Sequence, residues 1–217
     1  MNDKRHFTKV MSDRALIVFI KNPVKGQVKT RLAKTLGDDA ALAIYLQLTE
    51  ITRQNIEGIE DIQTYVFYSG SILQEDSWQG NHIQKRSQVG NDLGERMLNA
   101  FDEVFKQHRH ICIIGSDCPT LSTCVLLAAF DKLQASDFVI GPSSDGGYYL
   151  LGISKDNGIT SPPAYLFQNI AWSTASVLPE TVKRIAERQH SVVFLEELTD
   201  VDEEQDWLIF LNSRQIK

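Results

Sequence analysis

Short apolar runs alternate with amphipathic stretches along most of the chain. The runs are short, continuous and rich in β-branched residues, which is typical of strands buried on both faces of a sheet. They fall at residues 15–20, 62–70, 110–115, 137–142, 148–153 and 191–195, with a short edge strand at 82–86. Apolar spacings of three and four predict helices between them. These helices are expected at 30–56 with a break near Gly37, from Asp92 onward, at 125–133, from a cap at Ser173 to about 189, and from Asp202.

This alternation predicts an α/β fold, a three-layer α/β/α sandwich with a mostly parallel central sheet. The chain has 217 residues, without a low-complexity linker or a repeat. That length suits one substantial core. We therefore expect a single domain over residues 1–217, with residues 1–13 as a flexible or peripheral segment and residues 154–171 as irregular structure.

The composition narrows the classes of partner. A net charge of −6 gives no overall basic field for nucleic acid. No apolar run approaches the ~20 residues that cross a bilayer, and the polar start of the chain lacks the apolar region of a secretory signal. We therefore expect a cytoplasmic protein without a nucleic acid or membrane partner. The three cysteines form no CxxC pair and are expected to be reduced thiols.

Ligands of such sheets bind outside the carboxyl ends of the strands, so residues directly after strands are the candidates for function. The loop after the first strand carries Lys21, Lys29 and Arg31 without an acidic residue from 21 to 34, and Gly26 permits unusual backbone angles. Free amides at the following helix start, together with these cations, suit a phosphate. The alternative is a plain loop with surface lysines.

Two aspartates also follow strands. Asp117 stands at the tip of a buried strand between Gly115 and Pro119, where a carboxylate suits Mg²⁺, which takes one or two protein carboxylates plus substrate phosphates. Asp202 follows the last strand and is expected to reach the same sheet edge as a second metal ligand. The alternatives are a helix-capping role for Asp117 and a solvated helix start for Asp202.

The segment 141–152 is the third candidate. Asp145 is placed to orient or deprotonate an acceptor. Gly146 and Gly147 let a ligand approach the backbone, and Tyr148 and Tyr149 point to opposite faces of the next strand, so one of them can face a pocket. The alternative for Asp145-Gly146-Gly147 is an ordinary hairpin turn.

Taken together, these segments resemble the nucleotide-diphospho-sugar transferase (GT-A) superfamily. More closely, the chain is similar to the DUF2064 family of small bacterial proteins described as glycosyltransferases linked to radical-SAM, selenium or arsenosugar gene neighbourhoods. The resemblance covers about residues 15–210. It rests on Lys21-x-Pro23-x-x-Gly26-x-x-Lys29-Thr30-Arg31-Leu32, Gln88-x-Gly90-x-Asp92-Leu93-Gly94-Glu95-Arg96-Met97, Gly115-Ser116-Asp117-x-Pro119, Asp145-Gly146-Gly147-Tyr148-Tyr149-Leu150-Leu151-Gly152, Trp172-Ser173-Thr174 and Asp200-Val201-Asp202.

The resemblance implies a GT-A, Rossmann-like fold with Mg²⁺ or Mn²⁺ on Asp117 and Asp202. The acceptor pocket is expected at Gly146, Gly147 and Tyr148. The implied catalytic residues are Asp117, Asp145 and Lys29, and the implied nucleotide- and phosphate-binding residues are Lys21, Gly26, Lys29, Thr30, Arg31, Gln88, Gly90, Asp92 and Arg96. Lys29 and Arg31 match the KTRL segment of guanylyltransferases that act on phospholactate or phosphoenolpyruvate. The chain departs from the superfamily in having Ser116-Asp117-Cys118 in place of a full DxD motif.

Three functions remain open at this stage. The first is a metal-dependent glycosyltransferase that moves a sugar from a nucleotide-sugar to a small acceptor. The second is a nucleotidyltransferase that joins a nucleoside triphosphate to a phospho-acid or sugar phosphate with release of pyrophosphate, and the basic loop suits that triphosphate. The third is a non-catalytic nucleotide-binding protein. The family's usual description favours the first.

Overall fold

A computed structural model describes residues 12–215, so residues 1–11 of the expected N-terminal segment 1–13 lie outside the described residues. It contains seven strands and six α-helices over that range. The strands are β1 Arg14–Ile20, β2 Ile62–Tyr68, β3 Ile83–Ser87, β4 His110–Ile114, β5 Phe138–Pro142, β6 Tyr148–Ser154 and β7 Val192–Phe194. The helices are α1 Thr30–Leu36, α2 Asp38–Ile56, α3 Leu93–Phe105, α4 Thr123–Leu133, α5 Val177–Ala186 and α6 Glu204–Gln215.

All seven strands form one sheet in the order β3-β2-β1-β4-β6-β5-β7. Neighbouring strands pair in parallel except where β6 lies antiparallel between β4 and β5. The mostly parallel α/β fold is therefore confirmed, with β3 as an edge strand. Because β6 runs against its neighbours, the turn between β5 and β6 lies at the edge where β1 and β4 end. The expected hairpin turn at Asp145 therefore lies at the sheet edge where the sequence places the candidate site.

Apolar side chains fill both faces of the sheet. One core packs α3 and α5 on the sheet and includes Ile17 of β1, Phe101 of α3 and Ile185 of α5. The other core packs α4 on the sheet and includes Val18 of β1 and Phe130 of α4. A third cluster packs α1, α2 and α6 together around Leu32 and Trp207. This gives helical layers on both faces, as predicted. Within residues 12–215 no helix combines the length and apolarity needed to span a membrane.

Two predicted helix starts are wrong. Ser173 does not cap a helix: it has a left-handed backbone with φ 62°, and α5 begins at Val177. The intervening loop is held by the hydroxyl of Thr174, which donates to the carbonyl of Ala171 at 2.7 Å. Asp202 likewise precedes α6, which begins at Glu204. Here the carboxylate of Asp206 accepts from the backbone amides of Asp202 and Glu203, so the carboxylate of Asp202 stays available to the site.

Candidate functional site

A cleft of about 650 Å³ opens at the carboxyl ends of β1 and β4. Its volume lies within the range of small-molecule sites. It brings together most of the residues that the sequence singled out, and we call it the strand-end cleft. Its polar lining includes Lys21, Lys29, Thr30, Arg31, Tyr45, Gln88, Arg96, Asp117, Asp145, Asp200 and Asp202.

Lys29 is the most constrained cation in this lining. It occupies the position before α1 with φ 46° and ψ 48°, a left-handed conformation that is uncommon outside glycine. Its carbonyl accepts from the amide of Ala33 at 2.9 Å, which ties the backbone to the helix start. Only 5% of its side chain is exposed. A strained backbone that buries a charged side chain in a cleft indicates a functional position.

Asp117 and Asp202 both converge on this lysine. The Nζ atom of Lys29 lies 2.8 Å from Oδ1 of Asp117 and 3.3 Å from Oδ1 of Asp202. Arg31 approaches the other carboxylate oxygen of Asp202 at 3.3 Å. The two acids are also linked through the main chain, because the amide of Val201 donates to the carbonyl of Asp117 at 2.8 Å. The two predicted metal ligands are thus neighbours although 85 positions separate them in the sequence.

Asp200 is a fourth acid of the cleft, and it was not predicted as a site residue. It is partly buried, and Ser143 donates to its Oδ2 atom at 3.1 Å. Burial, and then the negative charges of Asp117 and Asp202, raise the pKa of Asp200 to about 7. The two-residue spacing of Asp200 and Asp202 was the available signal. Val201 between them packs in the cluster of α1, α2 and α6, while Asp200 and Asp202 both line the cleft.

The carboxylates suit a divalent cation that shares its coordination with a substrate. No group of three or more His, Cys, Asp and Glu side chains in residues 12–215 is arranged to hold a metal by itself. However, Asp117 and Asp202 already place two hard oxygens around one ammonium. Mg²⁺ is commonly bound by one or two carboxylates with phosphates and water as the other ligands. The residues therefore fit a metal that enters together with phosphates.

The remaining cations of the cleft differ in how they are held. The backbone of Lys21 is clamped by the hydroxyl of Tyr45, which accepts from its amide at 2.8 Å and donates to its carbonyl at 2.7 Å. Arg96 donates through Nε to the carbonyl of Gly90 at 3.0 Å. Within the described residues neither Lys21 nor Arg96 has a carboxylate partner, so both charges are available to an anion.

Gln88, a predicted phosphate-binding residue, lines the cleft, and its side-chain amide is bonded to the main chain. Its side-chain amide donates to the carbonyls of Ile20 at 3.2 Å and Phe67 at 2.9 Å. Both amide hydrogens are therefore used to join the ends of β1 and β2. Gln88 therefore holds the ends of β1 and β2 together beside the cleft.

The hairpin after β5 also reaches the cleft, where Asp145, Gly147 and Tyr148 line it. Oδ1 of Asp145 accepts from the amide of Gly147 at 2.9 Å, so the side chain is held in a tight turn. Tyr148 and Tyr149 pack against opposite core clusters, as their alternation predicts. The hydroxyl of Tyr149 donates to the carbonyl of Glu196 at 2.9 Å. The hydroxyl of Tyr148 is buried without a hydrogen-bond partner within the described residues.

Four of the candidate residues do not line the cleft: Gly26, Gly90, Asp92 and Gly146. Asp92 caps α3 by accepting from the amide of Glu95 at 2.8 Å. The three glycines have φ values of 77°, 142° and 89°, respectively. A Cβ atom on Gly146 would lie 2.6 Å from the backbone of Ala175, so that position requires glycine for packing. These four residues thus lie in turns and at a helix start, and their part in phosphate or acceptor binding stays a prediction.

Trp172, Ser173 and Thr174 line the cleft from the loop before α5, although none of them was predicted as a site residue. A close approach holds this loop against α3. A Cβ atom on Gly94 would lie 2.2 Å from the carbonyl oxygen of Phe167 and 2.7 Å from the indole nitrogen of Trp172. The glycine in the first turn of α3 was the available signal, since it allows such contact.

This open, mostly parallel sheet with a cleft at its strand ends has the nucleotide-diphospho-sugar transferase (GT-A-like) fold. The model of the family described as "Uncharacterized protein conserved in bacteria (DUF2064)" matches residues 52–174. The chain belongs to the DUF2064 family. No curated protein matches the sequence.

Two solved structures illustrate the similarity. A candidate nucleotide-diphospho-sugar transferase from Desulfovibrio desulfuricans G20 is 31% identical, with a TM-score of 0.80 over 89% of this chain and 84% of that one. A 4-diphosphocytidyl-2C-methyl-D-erythritol synthase from Anaerococcus prevotii DSM 20548 is 11% identical, with a TM-score of 0.59 over 96% and 99% of the two chains. The second likeness is one of fold alone.

Proposed function

We propose that this protein is a metal-dependent transferase that uses a nucleotide, and that it moves a sugar from a nucleotide-sugar to a small acceptor. The observation that carries this proposal is the convergence of Asp117 and Asp202 on Lys29 in the strand-end cleft. The 31% identical relative described as a candidate nucleotide-diphospho-sugar transferase supports the same class.

In this proposal, the cations of the cleft bind the phosphates of the donor and the acids bind the metal. Lys29 and Arg31 bind the donor's diphosphate, and Lys21 and Arg96 have charges available for further anionic groups. Asp117 and Asp202 would hold Mg²⁺ or Mn²⁺, which supplies positive charge as the diphosphate leaves. Because these groups are positioned before the reaction, they stabilise the charge that develops on the leaving group.

Asp145 is the proposed base for the acceptor. One of its carboxylate oxygens is fixed by the amide of Gly147, and the other has no hydrogen-bond partner among the described residues. The residue is exposed at the cleft. It accepts the proton of the acceptor hydroxyl as that oxygen attacks the anomeric carbon, and the nucleoside diphosphate departs. Gly147 and Tyr148 form the adjoining acceptor wall.

Nucleotidyl transfer is a second candidate, and the number of cations favours it. Lys21, Lys29, Arg31 and Arg96 all line one cleft, which suits the charge of a triphosphate. In that reaction, a phosphate or carboxylate attacks the α-phosphorus and pyrophosphate leaves. A non-catalytic nucleotide-binding role is the third candidate.

One experiment separates these candidates. The protein is incubated with Mn²⁺ and either nucleotide-sugars with acceptors or nucleoside triphosphates with phospho-acids, and release of nucleoside diphosphate or pyrophosphate is measured. Free diphosphate supports sugar transfer and pyrophosphate supports nucleotidyl transfer. A thermal shift with nucleotide but without either product supports the non-catalytic role.

The matched variants are Asp117→Asn in the cleft and Asp131→Asn outside it. Asp131 is also a carboxylate in an ion pair, with Arg14 at 3.0 Å, but it does not line the cleft. The proposal expects a loss of turnover only in Asp117→Asn. If Lys29→Ala and Asp117→Ala both leave nucleotide affinity unchanged, the cleft is not the nucleotide site.

A further inference from the structure

The ammonium of Lys29 lies where a cation shared by Asp117 and Asp202 is expected. It contacts Oδ1 of both carboxylates, at 2.8 and 3.3 Å, and its side chain is almost fully buried. Arg31 contacts the second oxygen of Asp202. In this arrangement the two acids of the proposed metal site already have a positive partner inside the protein.

The ammonium of Lys29 and a divalent cation cannot both bind the same carboxylate oxygens of Asp117 and Asp202 closely. The two cations would repel one another at close range, in a partly buried site where solvent screens charges weakly. The carboxylates therefore bind a metal well only after the ammonium has moved away.

The chain allows such a movement of the side chain alone. The backbone of Lys29 is fixed at the start of α1 by the amide of Ala33. The side chain is a flexible four-carbon stem that ends in a compact charge, and lysine is a common phosphate ligand. Phosphate oxygens in the cleft offer the ammonium a new partner when it leaves the carboxylates.

We propose that Lys29 excludes a metal ion from Asp117 and Asp202 until the phosphates of a nucleotide draw its ammonium away, so that nucleotide and metal bind as a coupled pair. This inference rests on the proposed function for the identity of the site. Because the coupling is thermodynamic, the nucleotide raises metal affinity and the metal raises nucleotide affinity by the same factor.

The test measures Mn²⁺ binding to the full chain by electron paramagnetic resonance, without substrate turnover. Wild type, Lys29→Met and Lys25→Met are compared, first without nucleotide and then with ADP, GDP, CDP or UDP. Lys25 is the matched control: it lies in the same loop and pairs with an aspartate, Asp39 at 2.7 Å, but its side chain is 55% exposed. Lys29→Gln serves as a second variant, and circular dichroism checks the fold of each.

Without nucleotide, we expect Lys29→Met to bind Mn²⁺ at least about tenfold more tightly than wild type and Lys25→Met, because a repelling charge has been removed. With nucleotide, at least one of the four diphosphates is expected to raise the Mn²⁺ affinity of wild type more than that of Lys29→Met. Equal affinity of wild type and both Lys29 variants without nucleotide would overturn the inference while leaving the metal site of the proposed function intact. If none of the proteins binds Mn²⁺ under any condition, both the inference and the metal dependence of the proposed function fail.

Discussion

The two ends of the central sheet both bury polar side chains, but they satisfy them in different ways. At the amino end, His108 lies between the hydroxyl of Tyr65 at 2.8 Å and the carbonyl of Ser12 at 2.6 Å, so both ring nitrogens have partners. At the carboxyl end, the ammonium of Lys29 contacts two carboxylates, and burial, followed by the nearby carboxylates, raises the pKa of Asp200.

This difference separates polar groups that complete the fold from those proposed to act at the site. A buried group whose hydrogen bonds are complete within the chain stabilises the fold. A partly buried cluster of charged groups costs stability by itself, and such clusters are common at functional sites. Burial of a polar residue alone is therefore a poor guide to function, whereas charged groups gathered in a cleft are a better one.

The largest expected effect is that of Asp117→Asn at the carboxyl end. Removing this carboxylate should lower turnover of the proposed reaction by about 100-fold or more, since charge stabilisation at the reacting group is lost. The free energy of unfolding should change by less than about 1 kcal/mol, because Asp117 is half-exposed and Lys29 keeps Asp202 as a carboxylate partner. Steady-state kinetics and urea unfolding measure the two quantities. A large loss of stability with unchanged turnover would reverse the assignment of this end.

His108→Ala at the amino end should have the opposite profile. It leaves the hydroxyl of Tyr65 and the carbonyl of Ser12 without a partner, and it opens a cavity beside the core. A loss of roughly 2–3 kcal/mol in the free energy of unfolding is expected. Nucleotide affinity, measured by calorimetry at a temperature where the variant is folded, should not change. A specific loss of nucleotide affinity would show that the two ends are not separate.

The pH dependence of stability sharpens the comparison further. Burial lowers the pKa of His108, while the nearby charges of Asp13 and Lys155 act in opposite directions. The unfolded chain therefore takes up a proton at a higher pH than the folded chain, and the contribution of His108 is present above about pH 6.5 and lost as the pH falls below it. Asp200, with its raised pKa, acts in the opposite sense.

The useful measurement is thus the difference between wild type and His108→Gln in urea unfolding at pH 7.5 and 5.5. The variant should lose less stability on acidification than wild type. Equal losses would mean that His108 is not the group that responds to acid.

The smallest expected effect concerns the backbone of Lys29. Glycine adopts φ near 46° without a Cβ penalty, so Lys29→Gly should be about 1 kcal/mol more stable than Lys29→Ala. Both variants lack the ammonium, so the comparison isolates the backbone. Thermal unfolding of the two proteins measures it, and a less stable glycine variant would show that the left-handed conformation is not strained.

The periodicity of the sequence was enough to predict the fold and the edge at which the site lies. The candidates Asp117, Lys29 and Asp202 were found because each follows a strand, and parallel strands end at a common edge. Glycines such as Gly26 and Gly146 were harder to interpret, because a turn, a close contact and a ligand contact all require the same missing side chain. In the structure Gly26 lies in a turn and Gly146 lies in close contact with the backbone of Ala175. Such a contact depends on residues that are distant in the sequence.

Pairing between distant residues was also outside the reach of the sequence. The pattern of the chain predicted that Asp117 and Asp202 meet beside the loop that carries Lys29 and Arg31, but not that the ammonium of Lys29 contacts both carboxylates. Nor did it identify the part of Gln88, whose amide joins two strand ends. These features depend on side-chain directions that are set only when all elements are packed.

The hydrogen bond from the amide of Val201 to the carbonyl of Asp117 has a consequence for how this family can diverge. Because main-chain atoms hold the two acid-bearing segments together, their spacing does not depend on the identity of the surrounding side chains. Side chains of the cleft wall can therefore be substituted while Asp117 and Asp202 keep their spacing. Such a scaffold would let single substitutions change the shape of the cleft without moving the two proposed metal ligands.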